Sequence, residues 1–427
     1  MEGVDSLQQT YIKRIFQHKD EILLSMNDFK RRYFMILSDD KISEALPHVY
    51  YDSVDSCFNI KLIVKTEDQL KLHVGGNVSS ATSNQAYFAV TYQNLSDYAL
   101  AATLDMQFGK TYNSLGLDTR VDVPSSTPMY MKMSYVFHRF NFYENAQWFY
   151  EDNQTANFSQ TEAYGKLKVG LPIRRKGRLE FGFGYGFLTD RYRQNNRQIT
   201  EDSNDDRSRY SLGSAFTRME SYTLNSLLYP TEGYRYLSSL QVVGGTEEFM
   251  QGVGFEPLPV KQKDLWLQYR AAYDRYFKIK NGFVLGLYGE VAMSSRDLLN
   301  NYTSTIIQAP KFEPTPHSKS TFNNAFSSNQ FAAVGIKPIY RLSDQIHLRG
   351  EGYCFLPYRQ IKAGADGTPY YANPTFDAAQ FMAEASVIVD LKLISVGAFL
   401  NYYSTAVSKW NFGINIGFLL FREKFVE

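Results

Sequence analysis

The last part of the chain alternates apolar and polar residues over an unusually long stretch. Every second residue is apolar, namely Trp410, Phe412, Ile414, Ile416, Phe418 and Leu420. This period of two predicts a strand with two unlike faces. The stretch is about as long as the 9 to 11 tilted residues with which a strand crosses a bilayer. One such strand would leave backbone groups unpaired in lipid, so it requires neighbours on both sides and a closed ring.

The same alternation predicts fifteen further strands. They are expected at 70–78, 86–92, 102–108, 115–123, 131–137, 163–171, 179–187, 210–222, 236–242, 265–277, 283–293, 332–340, 346–356, 381–389 and 396–402. Together with the last strand they make sixteen, an even number within the roughly 8 to 26 of single-chain bacterial barrels. The sequence therefore predicts an all-β fold, a 16-stranded antiparallel transmembrane β-barrel over residues 69–427.

The lengths of the predicted connections alternate along the chain. Long polar connections follow odd-numbered strands, at 141–157, 191–207, 246–263, 294–330 and 358–374. Short connections follow even-numbered strands, at 95–97, 174–177, 278–282 and 342–344. Barrels of the bacterial outer membrane have short periplasmic turns and long extracellular loops. The pattern thus indicates the outer membrane, with the N-terminal domain in the periplasm.

The second face of many predicted strands is polar or small. Charged candidates for this face are Arg178, Glu180, Arg270, Asp274, His347, Arg349 and Glu351. A charge that faces lipid at the bilayer midplane costs roughly 2 to 4 kcal/mol. We therefore expect these side chains to face a hydrated lumen, opposite outward residues such as Phe181 and Phe183.

Residues 1–68 precede the alternating strands and predict a small α+β unit. Ser6 with Gln9 matches a capping box that opens a first helix, and Ser25 with Asp28 opens a second helix over about 27–37. Two strands are expected at 45–52 and 58–66. No signal-peptide pattern stands within the first 25 residues, so we expect this chain to be part of a longer, exported polypeptide.

Composition and motifs argue against most other functions. The formal net charge is +1 and the basic residues are scattered, which disfavours a nucleic-acid partner. Cys57 and Cys354 match no metal spacing, and we expect both to be unpaired. No nucleophile elbow, phosphate loop or zinc-protease motif occurs. His73, His138 and His347 fall on inward positions, where hydrogen-bonded lumen histidines are the ordinary interpretation. We expect no catalytic residue, metal or cofactor.

One α+β unit, sixteen strands and a longest loop after the eleventh strand together resemble the bacterial surface antigen superfamily, whose members combine POTRA domains with a 16-stranded outer-membrane barrel. Pro230 and Gly233 look like that family's periplasmic turn between the eighth and ninth strands. The resemblance implies a POTRA-like domain at 1–68 that lacks its first strand. It also implies a translocator or insertase, with outer-membrane lipid and the barrel assembly machinery as partners. That machinery would read the last strand as an assembly signal.

More specifically, three segments are similar to the C-terminal barrel part of Bacteroidetes patatin-like phospholipases. They are Gln-Gln-Thr-Tyr-Ile at 8–12, Gly-Gly-Asn-Val-Ser-Ser at 75–80 and Phe-Leu-Leu-Phe-Arg-Glu-Lys-Phe at 418–425. The resemblance implies a fused lipase domain that precedes this chain. The chain would then anchor or export that domain, as in type V secretion. None of the lipase's catalytic residues stand in this sequence.

The sequence departs from the superfamily in two places. The family's Val/Ile-Arg-Gly-Phe/Tyr motif is absent from the loop at 294–330, and Glu427 follows Phe425 where a terminal aromatic residue is common. The first departure counts against insertase activity. Two alternatives stay open, a stand-alone pore or ligand-binding barrel and a soluble lectin-like β protein. The oligomeric state, and whether the lumen is open or plugged, are also open at this point.

Overall fold

In a computed structural model, the chain forms a small N-terminal unit followed by one large sheet. The structure describes residues 3–16, 24–37, 41–54, 56–80, 83–124, 129–142, 158–173, 177–192, 205–252, 260–391, 394–405 and 409–426. The N-terminal unit contains helices α1 (Ser6–Phe16) and α2 (Met26–Leu37) and the paired strands β1 (Ile42–Asp52) and β2 (Cys57–Thr66).

The large sheet is a closed antiparallel barrel of sixteen strands, as the alternation predicts. Its strands are β3 (Leu70–Ser79), β4 (Gln85–Leu95), β5 (Ala99–Gly109), β6 (Tyr112–Val123), β7 (Met129–Phe142), β8 (Phe158–Ile173), β9 (Gly177–Tyr192), β10 (Asp206–Tyr222), β11 (Gly233–Met250), β12 (Val260–Lys280), β13 (Phe283–Ser294), β14 (Gln330–Arg341), β15 (Ile346–Pro357), β18 (Gln380–Asp390), β19 (Ser395–Tyr403) and β20 (Trp410–Gly417). Loops add helix α3 (Tyr302–Gln308) and a hairpin of β16 (Ile361–Ala363) and β17 (Pro369–Tyr371). Each predicted strand overlaps one observed strand, and β11 and β12 extend well beyond their predicted ends.

The two faces of the barrel wall differ sharply in polarity. On β9, Phe183 is 62% exposed on the outside whereas Glu180 is 2% exposed on the inside. Outward side chains are mostly large and apolar on the other strands as well, and inward positions carry the buried polar groups. Alternating side chains of a closed sheet must take opposite faces, so the period of two fixes this division.

The barrel closes between its first and last strands through a short seam. Strand β20 pairs with β3 at three positions, from Asn415 opposite Ser79 to Gly417 opposite Asn77. Gly417 has a φ of +110°, and the Phe418 N–H still donates to the Gly76 carbonyl (2.7 Å). The chain then leaves the wall. The predicted last strand is therefore too long, and Leu420 does not continue its outward row.

The N-terminal unit packs against the rim of the barrel that carries the short turns. Its core of helix and strand residues includes Leu95 and Ala99, which flank the turn between β4 and β5. Lys41 Nζ pairs with Asp122 Oδ2 of β6 at 2.9 Å. In α1 the capping box begins one residue earlier than predicted, because the Asp5 carboxylate accepts from the Gln8 N–H (2.8 Å) and the Gln8 side chain accepts from the Asp5 N–H.

The connections on the opposite rim are only partly described. Most of the predicted loops at 141–157 and 191–207, and of the turn at 174–177, lie outside the described residues, as does Glu427. The predicted loop at 246–263 is shorter than expected, because β11 runs to Met250 and β12 begins at Val260, and only 253–259 of it lie outside the described residues. The loop between β13 and β14 is described throughout, and so is the one between β15 and β18. Among the helices described, none is both long and apolar enough to span a membrane. Cys57 and Cys354 are both free cysteines.

Candidate functional site: the filled lumen

The longest loop, residues 295–329, folds into the barrel and fills the half of the lumen next to the long connections. Its apolar side chains Ile306, Ile307, Phe312 and Phe326 are buried, although they belong to a connection rather than to the wall. Polar contacts fix the loop to the inner face of β9, where Asn301 Nδ2 donates to Tyr192 Oη (2.8 Å) and Gln308 Nε2 to Asp190 Oδ2 (2.6 Å). The lumen is therefore plugged at this level.

His317 attaches the tip of this loop to the opposite wall. Its Nδ1 lies 3.0 Å from Glu384 Oε2 of β18, and its Nε2 lies 3.3 Å from Asn415 Oδ1 of β20. The imidazole stacks on Phe399 of β19, with 3.6 Å between ring centroids. Burial opposes the charged ring, but the Glu384 carboxylate outweighs burial and raises the pKa of His317 above its usual value.

Lys311 of the same loop lies among phenylalanine rings. Its Nζ is 4.4 Å from the ring centroid of Phe322, 5.2 Å from that of Phe142 and 5.7 Å from that of Phe158. Burial and the nearby Lys424 ammonium lower the pKa of Lys311 to about 7. The rings partly compensate the desolvated charge through cation–π attraction.

The segment after the last strand, residues 418–426, enters the lumen below the loop. We call it the tail segment. Gln85 of β4 holds its start in two hydrogen bonds, because its side chain donates to the Leu420 carbonyl (2.8 Å) and accepts from the Leu420 N–H (3.1 Å). The Arg422 guanidinium lies between two carboxylates, with Nη1 2.7 Å from Asp118 Oδ2 and Nε 3.1 Å from Asp105 Oδ1.

The far end of the tail segment is anchored to strands β8 to β11. The Phe425 N–H donates to Glu162 Oε2 (2.8 Å), and Gln241 Nε2 donates to the Phe425 carbonyl (3.1 Å). The Phe425 ring is fully buried. A Cβ added at Gly184 or Gly186 would lie 3.1 or 3.2 Å from this ring, so the glycines on the inner face of β9 make room for it.

The turn between β10 and β11 closes the lumen from the other rim. Arg349 Nη1 of β15 donates to the Pro230 carbonyl at 2.8 Å. Tyr229 is buried, and its hydroxyl accepts from Asn415 Nδ2 at 3.2 Å. Gly233 ends the turn with a φ of +92°, a conformation that favours glycine, and a Cβ there would collide with the Thr223 carbonyl. Pro230 lies between the eighth and ninth barrel strands, β10 and β11, and Gly233 is the first residue of β11.

Most of the charged residues singled out from the sequence belong to one polar wall on β12 to β15. Arg270 Nη2 pairs with Glu290 Oε1 (2.6 Å) and donates to the Lys311 carbonyl of the loop (3.3 Å). Asp274 Oδ2 accepts from Lys337 Nζ at 2.7 Å. Arg349 contacts Glu351 and donates to Tyr276 Oη at 2.9 Å. This wall supports both the loop and the turn.

The remaining predicted residues have other partners, Arg178 and Glu180 on β9 and His347 near the start of β15. Arg178 Nη2 pairs with Glu220 Oε2 at 2.6 Å, and Glu180 accepts from Tyr130 and from Lys168 Nζ. His347 Nδ1 is 4.0 Å from Asp390 Oδ2. Outward on β20, Trp410, Phe412, Ile414 and Ile416 are exposed, and Phe418 follows them. Within the described residues, no group of three acidic, histidine or cysteine side chains could hold a metal ion.

Sequence reasoning missed the residues that fill the lumen. Strand alternation does not identify His317, Glu384, Asn415, Arg422 or Phe425 as site residues, although two features of the sequence point to the loop and to the tail segment. The loop at 294–330 is polar overall, but it contains Ile306, Ile307, Phe312 and Phe326, large apolar residues that an exposed connection would leave in water. The charged run at 422–424 also directly follows the alternating strand, where it could not lie in lipid.

Comparison with known proteins identifies the fold but no sequence family. No family model matches the chain, and no curated protein matches it significantly. The structure of BamA from Haemophilus ducreyi lacking POTRA domains 1–3 is similar over 97% of this chain and 82% of that one, with a TM-score of 0.61 at 10% identity. CdiB from Acinetobacter baumannii matches over 97% and 72%, with a TM-score of 0.56 at 8% identity.

CdiB from Escherichia coli matches over 96% of this chain and 73% of that one, with a TM-score of 0.51 at 11% identity. This chain therefore has the sixteen-stranded barrel fold seen in the BamA and CdiB structures. At such low identity the likeness shows the fold alone.

Proposed function

We propose that this chain is an outer-membrane β-barrel that anchors or translocates a polypeptide. The observation that carries the proposal is a wall that is apolar outside combined with a lumen filled by the chain itself. Three elements fill it, namely the loop at 295–329, the tail segment and the turn at 223–232. A pore for small solutes needs a permanent water path, whereas a barrel that passes a polypeptide must stay closed between transport events. The likeness to the BamA and CdiB folds supports this class.

Residues 1–68 are proposed as a POTRA-like periplasmic domain. They contact the barrel rim with the short turns, through Leu95, Ala99 and the Lys41–Asp122 pair. Short turns belong to the periplasmic side of outer-membrane barrels. The exposed outward row of β20 is the proposed signal for the barrel assembly machinery, without Leu420, which lies inside.

The cargo that we propose is a fused patatin-like lipase domain preceding residue 1, and the chain itself then acts without catalysis. This part rests on the resemblance of the three sequence segments described above. The genomic sequence upstream of Met1 tests it. An in-frame lipase segment there would support the link to patatin-like lipases. A stop codon together with a complete signal peptide, and no lipase segment, would remove it.

Surface labelling of intact bacteria tests the membrane role. One epitope is inserted in the loop at 364–368 and another at the turn at 281–282, and a reporter domain is fused before residue 1. We expect antibody to reach the first epitope on intact cells and the second only after permeabilisation. If protease digests the reporter on intact cells, the barrel translocates the fused domain. If the reporter is protected, the barrel only anchors it. Recovery of the protein in the soluble fraction would contradict both.

A further inference from the structure

The tail segment lies in a site that is built for an extended peptide. Seven of its anchors are to backbone atoms, which any extended peptide presents, and five of them are to the atoms of Leu420 and to the carbonyls of the last residues. They are the two Gln85 bonds to Leu420, the Tyr164 hydroxyl on the Glu423 carbonyl, Lys166 Nζ on the Lys424 carbonyl (3.0 Å) and Gln241 on the Phe425 carbonyl. Tyr112 Oη and Glu162 add acceptors for the N–H groups of Arg422 and Phe425. Backbone contacts of this kind provide affinity in peptide-recognition sites, and side-chain pockets provide selectivity.

Two subsites contact side chains of the tail segment and would select the residue types at those two positions of a bound peptide. The first is the pair Asp105 and Asp118, on neighbouring strands, which holds Arg422 from two sides. Gly116 lies between them, where a Cβ would collide with the guanidinium. A planar guanidinium suits two carboxylates better than a lysine does, because it offers several donors in a fixed geometry.

The second subsite is an apolar depression for an aromatic ring. Tyr164 and the inner face of β9 at Gly184 and Gly186 lie against the Phe425 ring, and Val136 belongs to the same buried cluster. Lys166 Nζ lies 5.6 Å from the ring centroid. The Tyr164 and Phe425 ring centroids are 5.6 Å apart. Burial removes the apolar surface of the ring from water, which favours an aromatic residue at this position. The spacing of the two subsites requires an aromatic residue three positions after the arginine.

We propose that this luminal surface is a peptide-binding site, which takes an extended segment with the pattern Arg-x-x-Phe from another polypeptide when the tail segment leaves it. The site has the two properties expected of one that exchanges its occupant. Its occupant has no strand pairing beyond Gly417, and His73, on the inner face of β3 beyond the short seam, is exposed. The inference deepens the proposed function, since it names the feature by which a translocated polypeptide would be recognised.

Peptide binding to a shortened barrel tests the inference. The chain is ended after Phe418, purified in detergent, and titrated with a fluorescent synthetic peptide of residues 418–426. We expect saturable binding, at least tenfold weaker binding to the full chain, and at least tenfold weaker binding of peptides with Arg422→Ala or Phe425→Ala. The double variant Asp105→Asn with Asp118→Asn should lose the preference for arginine. The exposed Asp366→Asn should keep it.

If the shortened chain does not fold, the full chain with Arg422→Ala and Phe425→Ala takes its place, because it keeps its length while losing both selective anchors. A folded barrel that binds no peptide, or that binds the native and Arg422→Ala peptides equally, would overturn the inference. The assay requires no transport. If the barrel binds the peptide as expected but a fused reporter does not reach the cell surface, the result counts against translocation and not against the peptide-binding site.

Discussion

His317 of the outer loop and Asn415 of the last barrel strand lie within hydrogen-bonding distance, with 3.3 Å between Nε2 and Oδ1. The amide of Asn415 also donates to Tyr229 in the turn at the opposite rim, at 3.2 Å. One side chain on β20 thus contacts the closing elements of both rims. Because β20 also forms the short seam with β3, the fillers of the lumen and the closure of the barrel share a strand.

Replacement of Asn415 by alanine should loosen both closing elements at once. The variant removes the partners of His317 Nε2 and of the Tyr229 hydroxyl, and each buried group left unsatisfied costs about 1 to 3 kcal/mol. Hydrogen exchange should therefore become faster in 301–329 and in 223–232. Asn411→Ala, on the same face of the same strand, is the control. Unchanged hydrogen exchange in both segments would show that Asn415 does not hold the loop and the turn in place.

Docking of the outer loop should depend on pH through His317. The groups that face the ring are Glu384, Asn415 and Phe399, with Glu351 adding to the negative field, and the pKa of His317 is raised in the folded protein. Because the pKa is higher in the folded protein, protonated His317 stabilises the docked loop fully below about pH 6.5, the usual pKa of histidine. This stabilisation is lost as pH rises through the folded-state pKa.

Limited proteolysis of the loop across this pH range measures the effect. Cleavage within 301–329 should become faster as pH rises, and His317→Gln should flatten that part of the profile. Lys311, whose pKa is lowered to about 7, acts in the opposite direction, because a buried lysine favours the docked loop only once it is neutral. The difference between the wild-type and His317→Gln profiles isolates the histidine. Identical profiles would contradict the assignment.

Gly233→Ala should destabilise the barrel or slow its assembly. The residue has a φ of +92°, and an added Cβ would collide with the Thr223 carbonyl. Strain of this kind costs about 1 to 3 kcal/mol. Gly289→Ala is the matched control, since a Cβ at Gly289 meets nothing within 4 Å. Urea unfolding in detergent measures both variants, and equal midpoints would show that the turn tolerates a side chain.

The wall of the barrel could be predicted from the sequence because a period of two assigns each residue to a face without reference to distant strands. Phe183 and Glu180 illustrate this, three residues apart and on opposite faces. The end of the wall could not be predicted in the same way. Alternation continues through Leu420, and only the positive φ of Gly417 and the charged residues after it turn the chain inward.

The contents of the lumen depend on contacts between parts of the chain that closure of the barrel brings together. Glu384, Asn415 and His317 lie on three elements, and no spacing relates them. Alternation shows that the inner face of β9 is small at Gly184 and Gly186, but the ring that these glycines accommodate comes from the other end of the chain.

Single-channel recording in planar bilayers tests most directly whether the barrel is closed by its own loop, tail segment and turn. We expect the full chain to show little current and brief openings, and a variant lacking 300–328 to show steady, larger currents. The control is a deletion of 364–368 in the loop between β15 and β18. Large, steady currents through the full chain would contradict a lumen closed at rest and favour a stand-alone pore.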